Sequence, residues 1–499
     1  MNDRKPGLFR NRLSMAGAGL AILGAINLAF ILVADLTAER PRPYMGIFYL
    51  ILPVVIVLGL LLIPIGMLLE RRRRRKTASA EIPPYPRIDF NNPQHRKLAA
   101  LTVVATVVIL FCSGIGTYKA YELTDSVTFC GQTCHTPMHP EFTAYQVSPH
   151  ARVKCTECHV GSGAASYAKS KFSGVHRAYA TFLNNFPRPI LAPVQSLRPA
   201  TETCEQCHWP EKYHGDQLKE FNHFSYDEQN TARQTRMLIH TGGGAPDSGV
   251  NSGIHWHMNI ANDISYIATD ERRQSIAWVR LKDASGNVTE YKAQDSDFKP
   301  EDIARATVRK MDCMDCHNRS AHSFLPPDRA VDEALAAGRL DASLPYIKQQ
   351  AVEAVAKSYS SVDEARSSIA KTVDDYYKSN YADRYAAKQD SIKSAISEIQ
   401  NIYEKNFFPL MKVDWQTYSD NIGHYYTQGC FRCHDGQHIS SDGKVIRKDC
   451  TICHSVLDQK EGSAPIMARN GTAFQHPIDL GDLTAVNCTD CHTGRGVGQ

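Results

Sequence analysis

Seven cysteine–histidine motifs carry the chemistry of this 499-residue chain. Six read Cys-x-x-Cys-His and begin at Cys155, Cys204, Cys313, Cys430, Cys450 and Cys488. The first in the chain holds one extra residue, Cys130-Gly-Gln-Thr-Cys134-His135. Two thiols at this spacing add across the vinyl groups of a haem, and the histidine after the second becomes the proximal ligand of the iron. The expected attachment residues are Cys130 and Cys134, Cys155 and Cys158, Cys204 and Cys207, Cys313 and Cys316, Cys430 and Cys433, Cys450 and Cys453, and Cys488 and Cys491. Their proximal ligands are His135, His159, His208, His317, His434, His454 and His492. Zinc sites would not need a histidine after every second cysteine, and disulfides would need no histidine at all. The expectation is seven covalently bound haems c. Cys112, outside the motifs, reads as a small buried hydrophobe in an apolar run.

Each iron also needs a group on its distal side, and histidines are plentiful. Of twenty, seven are proximal and His95 sits among basic residues near the N-terminus. Twelve remain: His139, His150, His176, His214, His223, His240, His255, His257, His322, His424, His438 and His476. That supply can make every haem six-coordinate. His424, His438 and His476 stand out because they lie among three close motifs. His255 and His257 flank Trp256 and would share one face of an extended strand, where they would bind a haem or serve the local β structure.

Such haems must be attached outside the bacterial cytoplasm, and the first 117 residues give the route. Three apolar runs, about 13–36, 45–69 and 98–117, each approach the roughly 20 residues a helix needs to cross a bilayer. A cleavable signal peptide is the rival for the first run, but no small-residue cleavage site follows it. Arg4, Lys5, Arg10 and Arg12 precede the first run, and Arg71 to Arg75, Lys76, Arg87, Arg96 and Lys97 lie between the second and third. The positive-inside rule puts both stretches in the cytoplasm and all seven motifs in the periplasm. The protein is expected in the bacterial inner membrane.

The formal net charge of +4 hides an asymmetry. Residues 1–117 hold 15 basic and 6 acidic side chains, so the rest carries about −5. An acidic periplasmic face favours a basic soluble partner and argues against nucleic acid.

Motif spacing suggests five sections: a membrane anchor (1–117), a trihaem module (118–225), a haem-free, partly β section (226–312), a fourth haem with a helical stretch (313–420), and a C-terminal trihaem module (421–499). In the haem-free section Ala277, Val279 and Leu281 alternate, the Asp283–Asn287 turn follows, and Val288 to Tyr291 completes a hairpin. Helix is predicted over roughly 328–406, with capping-box spacing at Ser361 and Glu364 and an apolar stripe of Ile392, Ile396, Ile399 and Tyr403. The expected fold is a mostly α, loop-rich multihaem chain with three transmembrane helices and a small β insertion.

The stretch from Tyr121 to Glu220 resembles the NapC/NirT family of membrane-anchored quinol-oxidising cytochromes. The matching residues are Phe129-Cys-Gly-Gln-Thr-Cys-His-Thr-Pro-Met138, Ser148-Pro-His-Ala-Arg-Val153, Cys155-Thr-Glu-Cys-His-Val-Gly161, Lys169-Ser-Lys171 and Cys204-Glu-Gln-Cys-His-Trp-Pro210. The longer chain is similar to inner-membrane cytochromes of metal-respiring bacteria that pass menaquinol electrons to periplasmic cytochromes. The resemblance implies that the first haem faces the quinol and that Met138 competes with His135 for its iron. It implies too that Lys169 or Lys171 lies near the quinol, and that His150 is a distal ligand, most naturally of the third haem. Expected partners are then the membrane quinol pool, the lipid bilayer and a basic soluble periplasmic cytochrome c. Two rival readings stand beside this one: a terminal reductase of nitrite, hydroxylamine or a sulfur oxyanion, and a non-catalytic conduit fed by a partner subunit. The reductase would need an open iron, often marked by a lysine in place of a motif histidine, and every motif here keeps its histidine.

Overall fold

A computed structural model of the chain describes residues 8–9, 11–36, 46–76, 89–133, 135–160, 170, 174, 176–193, 197–209, 215–242, 253–258, 262–461, 464–481, 483 and 486–496. It divides into two compact units, residues 1–135 and 136–499.

The first unit contains three long helices, α1 (Arg12–Leu36), α2 (Gly46–Lys76) and α3 (Pro93–Thr124). Arg12–Ile31 and Ile51–Lys76 are long and apolar enough to cross a membrane. Apolar burial cannot drive helices together in lipid, so small residues must let their backbones approach. That is the seam between α1 and α2: a Cβ on Gly17 would meet the Gly59 carbonyl at 2.6 Å, and one on Gly59 the Ala21 nitrogen at 2.7 Å. Buried Ser14 donates to the Ile63 carbonyl at 2.8 Å across the same seam. Leu23, Phe30, Leu58 and Phe111 face outward, as lipid-exposed helices require. The third apolar run falls in α3, which opens on an Asn92 cap and Pro93. The first motif follows in a five-residue π-turn, Phe129–Thr133. Cys134 itself lies outside the described residues.

The second unit has its largest apolar core in a helical bundle, Pro327–Ala336, Ile347–Ala356, Val362–Asn380 and Gln389–Asn406. Ile392, Ile399 and Tyr403 are buried there, with Ile396 packed at the margin, so the predicted stripe is the packing face. Ser361 caps its helix by accepting the Glu364 N–H at 3.1 Å. The Glu364 carboxylate accepts from Ser360 at 2.8 Å rather than from Ser361, so the reciprocal half of the box is displaced by one residue. Lys348 is buried against Asp332 at 2.6 Å and also donates to the Asp328 carbonyl at 2.7 Å.

The β structure is larger than a small insertion. Nine strands are described: β1 (Gln217–Phe224), β2 (Ala232–Ile239), β3 (Asp263–Ala268), β4 (Ile276–Lys282), β5 (Val288–Ala293), β6 (Arg309–Lys310), β7 (His438–Ser440), β8 (His454–Glu461) and β9 (Ala464–Thr472). They form two sheets, ordered β1-β2-β8-β9 and β6-β3-β4-β5-β7. The predicted hairpin is β4–β5, with Val279 opposite Tyr291 and Asp283 accepting from Ser285 and Asn287 at 2.9 Å each. The other strands are of two kinds: β1–β2, β3–β4 and β8–β9 pair with chain neighbours, whereas β2–β8, β3–β6 and β5–β7 join segments far apart in the chain. The C-terminal part supplies β7, β8 and β9, and the Arg236–Asp458 ion pair, with Asp458 buried, holds β2 against β8. Their apolar alternation is weak because long-range pairing, rather than a deep core, orders them.

Candidate haem-iron sites

Six motifs wind into single turns. Cys155–His159 and Cys313–Cys316 are short α-turns, while Cys204–Gln206, Gly429–Arg432, Cys450–Ile452 and Cys488–Asp490 are 3₁₀ turns. Residues three apart eclipse in a 3₁₀ turn, so both thiols of a motif leave on the same side. The turn then continues to the histidine. The N–H groups of His208, His317 and His492 each donate to the carbonyl of their motif's first cysteine at 2.8 Å, and that of His434 does so at 3.1 Å. Backbone hydrogen bonding thus fixes where the imidazole emerges. Burial raises the Cys313 thiol to about 11 and the Cys316 thiol to about 12.

Opposite these turns, histidines meet in pairs. Ring centres lie 6.1 Å apart for His159 and His322, 6.1 Å for His150 and His208, and 6.3 Å for His255 and His317. They are 5.7 Å apart for His257 and His434, 6.1 Å for His424 and His454, and 6.2 Å for His476 and His492. Aromatic rings commonly meet at about 4.5–7 Å, so the distance alone decides little. The pairing decides more: each pair joins one motif histidine to one non-motif histidine, and no histidine is used twice. Two imidazoles on opposite sides of one metal, each about 2.0–2.1 Å from it through nitrogen, have centres about 6 Å apart. These residues therefore fit an iron held between each pair.

Neighbouring groups orient the rings. His150, His257, His322, His434 and His476 place Nδ1 against the carbonyls of Ser320 (3.3 Å), Ile254 (2.7 Å), Glu141 (3.0 Å), Arg447 (2.7 Å) and Ile478 (2.9 Å). A carbonyl on Nδ1 selects the tautomer whose Nε2 is free to bind metal. Burial pushes His159 down to about 4 and lowers His255, His257, His317, His322, His424, His454 and His492, keeping these imidazoles neutral near pH 7. Local turns do the placing. The Ser148 hydroxyl accepts the His150 N–H at 3.1 Å, and Tyr145 reaches the Ala151 and Val153 carbonyls at 2.7 and 2.9 Å. Arg319 holds the His322 segment to Glu141 at 3.1 Å.

Of the predicted distal ligands, His150, His424 and His476 stand opposite motif histidines, and His150 faces the third motif. The expectation for His438 does not hold. It is buried with Nδ1 on the Asp435 carboxylate at 3.0 Å and Nε2 on the Ile276 carbonyl at 3.0 Å, so neither nitrogen is left for a metal. His240 is likewise occupied at both nitrogens, by Asp216 and Ser455. His223 lies 3.2 Å from Asp332, His139 packs edge-on to Phe408, and His176 is exposed. His322, His255 and His257 join the set, which the sequence had left open. Their signal is spatial, since His322 and His257 lie far along the chain from His159 and His434. Met138 falls within the helix His135–Gln146. The His135 side chain, His214, Lys169 and Lys171 lie outside the described residues.

Single-turn Cys–His motifs repeated along a chain that opens on apolar helices define a membrane-anchored multihaem cytochrome c, built to carry electrons. The NapC/NirT cytochrome c family, N-terminal region, matches residues 92–189, and the cytochrome c3 family matches residues 423–496. The cytochrome c-type protein ImcH of Geobacter sulfurreducens is 43% identical over 488 residues, 97% of this chain and 96% of ImcH. With that relative matched almost end to end, the chain belongs to the NapC/NirT family of multihaem cytochromes c. The cytochrome c nitrite reductase subunit NrfH of Nitratidesulfovibrio vulgaris is 29% identical over 125 residues, 24% of this chain and 71% of NrfH. No solved structure matches.

Proposed function

We propose that the chain binds seven haems c, oxidises menaquinol at the membrane, and passes the electrons to a basic soluble periplasmic cytochrome in anaerobic respiration. The observation that carries this reading is the one-to-one pairing of six motif histidines with six other histidines. When bound, each haem supplies a one-electron carrier whose iron changes oxidation state without changing ligands. With an imidazole from each side, the six paired sites would hold an iron with no open position for nitrite, hydroxylamine or a sulfur oxyanion. That favours a conduit over a terminal reductase.

Quinol oxidation releases two electrons and two protons, so the entry site needs an acceptor near the bilayer and a polar group at the quinol oxygen. The first motif follows α3 closely in sequence. We assign α3 as a third crossing that runs outward, leaving the N-terminus and the 70–97 loop in the cytoplasm. Lys169 or Lys171 is the polar group, through family likeness, and Met138 or His135 completes the first iron. The test is reduction of the purified protein by a menaquinol analogue, followed through the haem absorbance. Stoichiometric reduction is expected. Reduction by dithionite but never by quinol would overturn the quinol assignment.

A further inference from the structure

The described segment between β2 and β3 is a single 3₁₀ turn, Ile254–Met258, in the stretch of chain that carries no haem motif. Its sequence, Ile-His-Trp-His-Met, places two histidines on either side of a tryptophan. In an extended strand the two would share a face. In a 3₁₀ turn, residues two apart point about 120° away from each other, because three residues complete the turn. The structure follows the second geometry. His255 meets His317 of the fourth motif at 6.3 Å, and His257 meets His434 of the fifth at 5.7 Å.

The turn is held from both directions. Ile254 and His255 donate their N–H groups to the His240 and Thr241 carbonyls at 2.8 Å each, fastening the turn to the end of β2. Gly253 enters it at φ +94°, where a Cβ would meet the His240 carbonyl at 2.7 Å, so only glycine fits. Trp256 packs against the cluster of Ile264, Tyr266, Ile276 and Val279, and its carbonyl accepts from Asn262 at 3.0 Å. The His257 Nδ1 is occupied by the Ile254 carbonyl at 2.7 Å, which leaves Nε2. The two motifs opposite are themselves joined, since Arg432 of the fifth donates to the Asp315 carbonyl of the fourth at 2.7 Å.

We infer that this turn is a clamp on two haems at once, with His255 the distal ligand of the haem at Cys313 and Cys316 and His257 that of the haem at Cys430 and Cys433. The inference rests on the haem-binding reading above and extends it to the section without motifs. That section is then no spacer. It joins the fourth and fifth haems through one rigid element whose two ligand backbones lie within about 7 Å. Electrons crossing from the N-terminal haems to the C-terminal ones pass through this pair.

The experiment uses the full membrane protein with H255A, H257A and the double substitution. Intact mass should remain that of seven haems. The electron paramagnetic resonance spectrum should show one haem in seven turned high-spin in each single variant and two in the double, with added imidazole restoring the low-spin form. Assignment comes from backgrounds lacking one haem. When Cys313 and Cys316 are both replaced by alanine, H255A should add no high-spin iron while H257A still adds one equivalent. With Cys430 and Cys433 replaced, the pattern should reverse. Spectra unchanged in fully loaded single variants, or both substitutions acting on one haem, would overturn the clamp. If the alanine variants do not mature, H255M and H257M serve instead, because methionine raises a haem's potential. One haem in seven should then titrate at higher potential in each, and an unshifted titration overturns the inference. Failure of the haem-binding reading is separate, and would show as fewer than seven haems in the unaltered protein.

Discussion

At the scale of single residues, the neighbours of each side chain decide its role. His438 and His424 both sit among the last three motifs and look equivalent in sequence. One has both nitrogens bound to protein groups, and the other stands opposite His454 with ring centres 6.1 Å apart. Motif spacing alone points to the attachment residues and proximal histidines, because that chemistry is local. Closeness in sequence singled out His424 and His476, which stand opposite motif histidines, while His150 came only through family resemblance. His322 could not be read, because what brings it to His159 is the Arg319–Glu141 contact between segments remote in the chain. Two predictions belong here. Replacing Lys169 and Lys171 together by methionine should slow haem reduction by quinol at least tenfold while leaving dithionite reduction and haem content intact. Stopped-flow absorbance on the fully loaded variant measures it, and unchanged kinetics would make the lysines ordinary surface charges. Lys348→Met strands the Asp332 carboxylate in the core, which should cost about 3–5 kcal/mol in chemical denaturation followed by circular dichroism.

At the scale of elements, helices were readable and most strands were not. The stripe of Ile392, Ile399 and Tyr403 repeats at helical spacing within one segment, so periodicity alone reveals it. A strand such as β8 depends on β2, more than two hundred residues upstream, and nothing in His-Ser-Val-Leu-Asp-Gln-Lys-Glu announces that partner. The β4–β5 hairpin was readable because the short Asp283–Asn287 turn holds a glycine, whereas the connections of the equally local β1–β2 and β3–β4 pairs are longer and hold none. Ile399→Ala should lower the bundle's stability by about 2–5 kcal/mol through lost burial and the cavity left behind. Ile396→Ala, at the margin, should cost clearly less. Ser361→Ala removes one cap bond and should cost about 1 kcal/mol. Denaturation midpoints of the three variants, ranked in that order, check the packing; equal effects at 396 and 399 would refute it.

At the scale of the whole molecule, haem mass and charge are the readouts. The intact mass should equal the full chain plus seven haems, and a cleaved N-terminus would rule out α1 as a retained membrane anchor. The −5 balance beyond residue 117 should make association with a basic periplasmic cytochrome slow as ionic strength rises. Stopped-flow mixing across a salt series tests this, and a flat on-rate would remove charge from the docking argument. The order of the histidine pairs along the chain has a consequence for biogenesis. In five of the six, the non-motif partner comes first: His150 before His208, His255 before His317, His257 before His434, His424 before His454, His476 before His492. A chain delivered from its N-terminus therefore arrives at each of those motifs with the second imidazole already across the membrane. The second motif is different, because His159 must wait for His322. On the proposed ligation, maturation of the six paired haems has one step at which an attached haem stays half-closed, and a nascent chain stalled before residue 322 would be caught there.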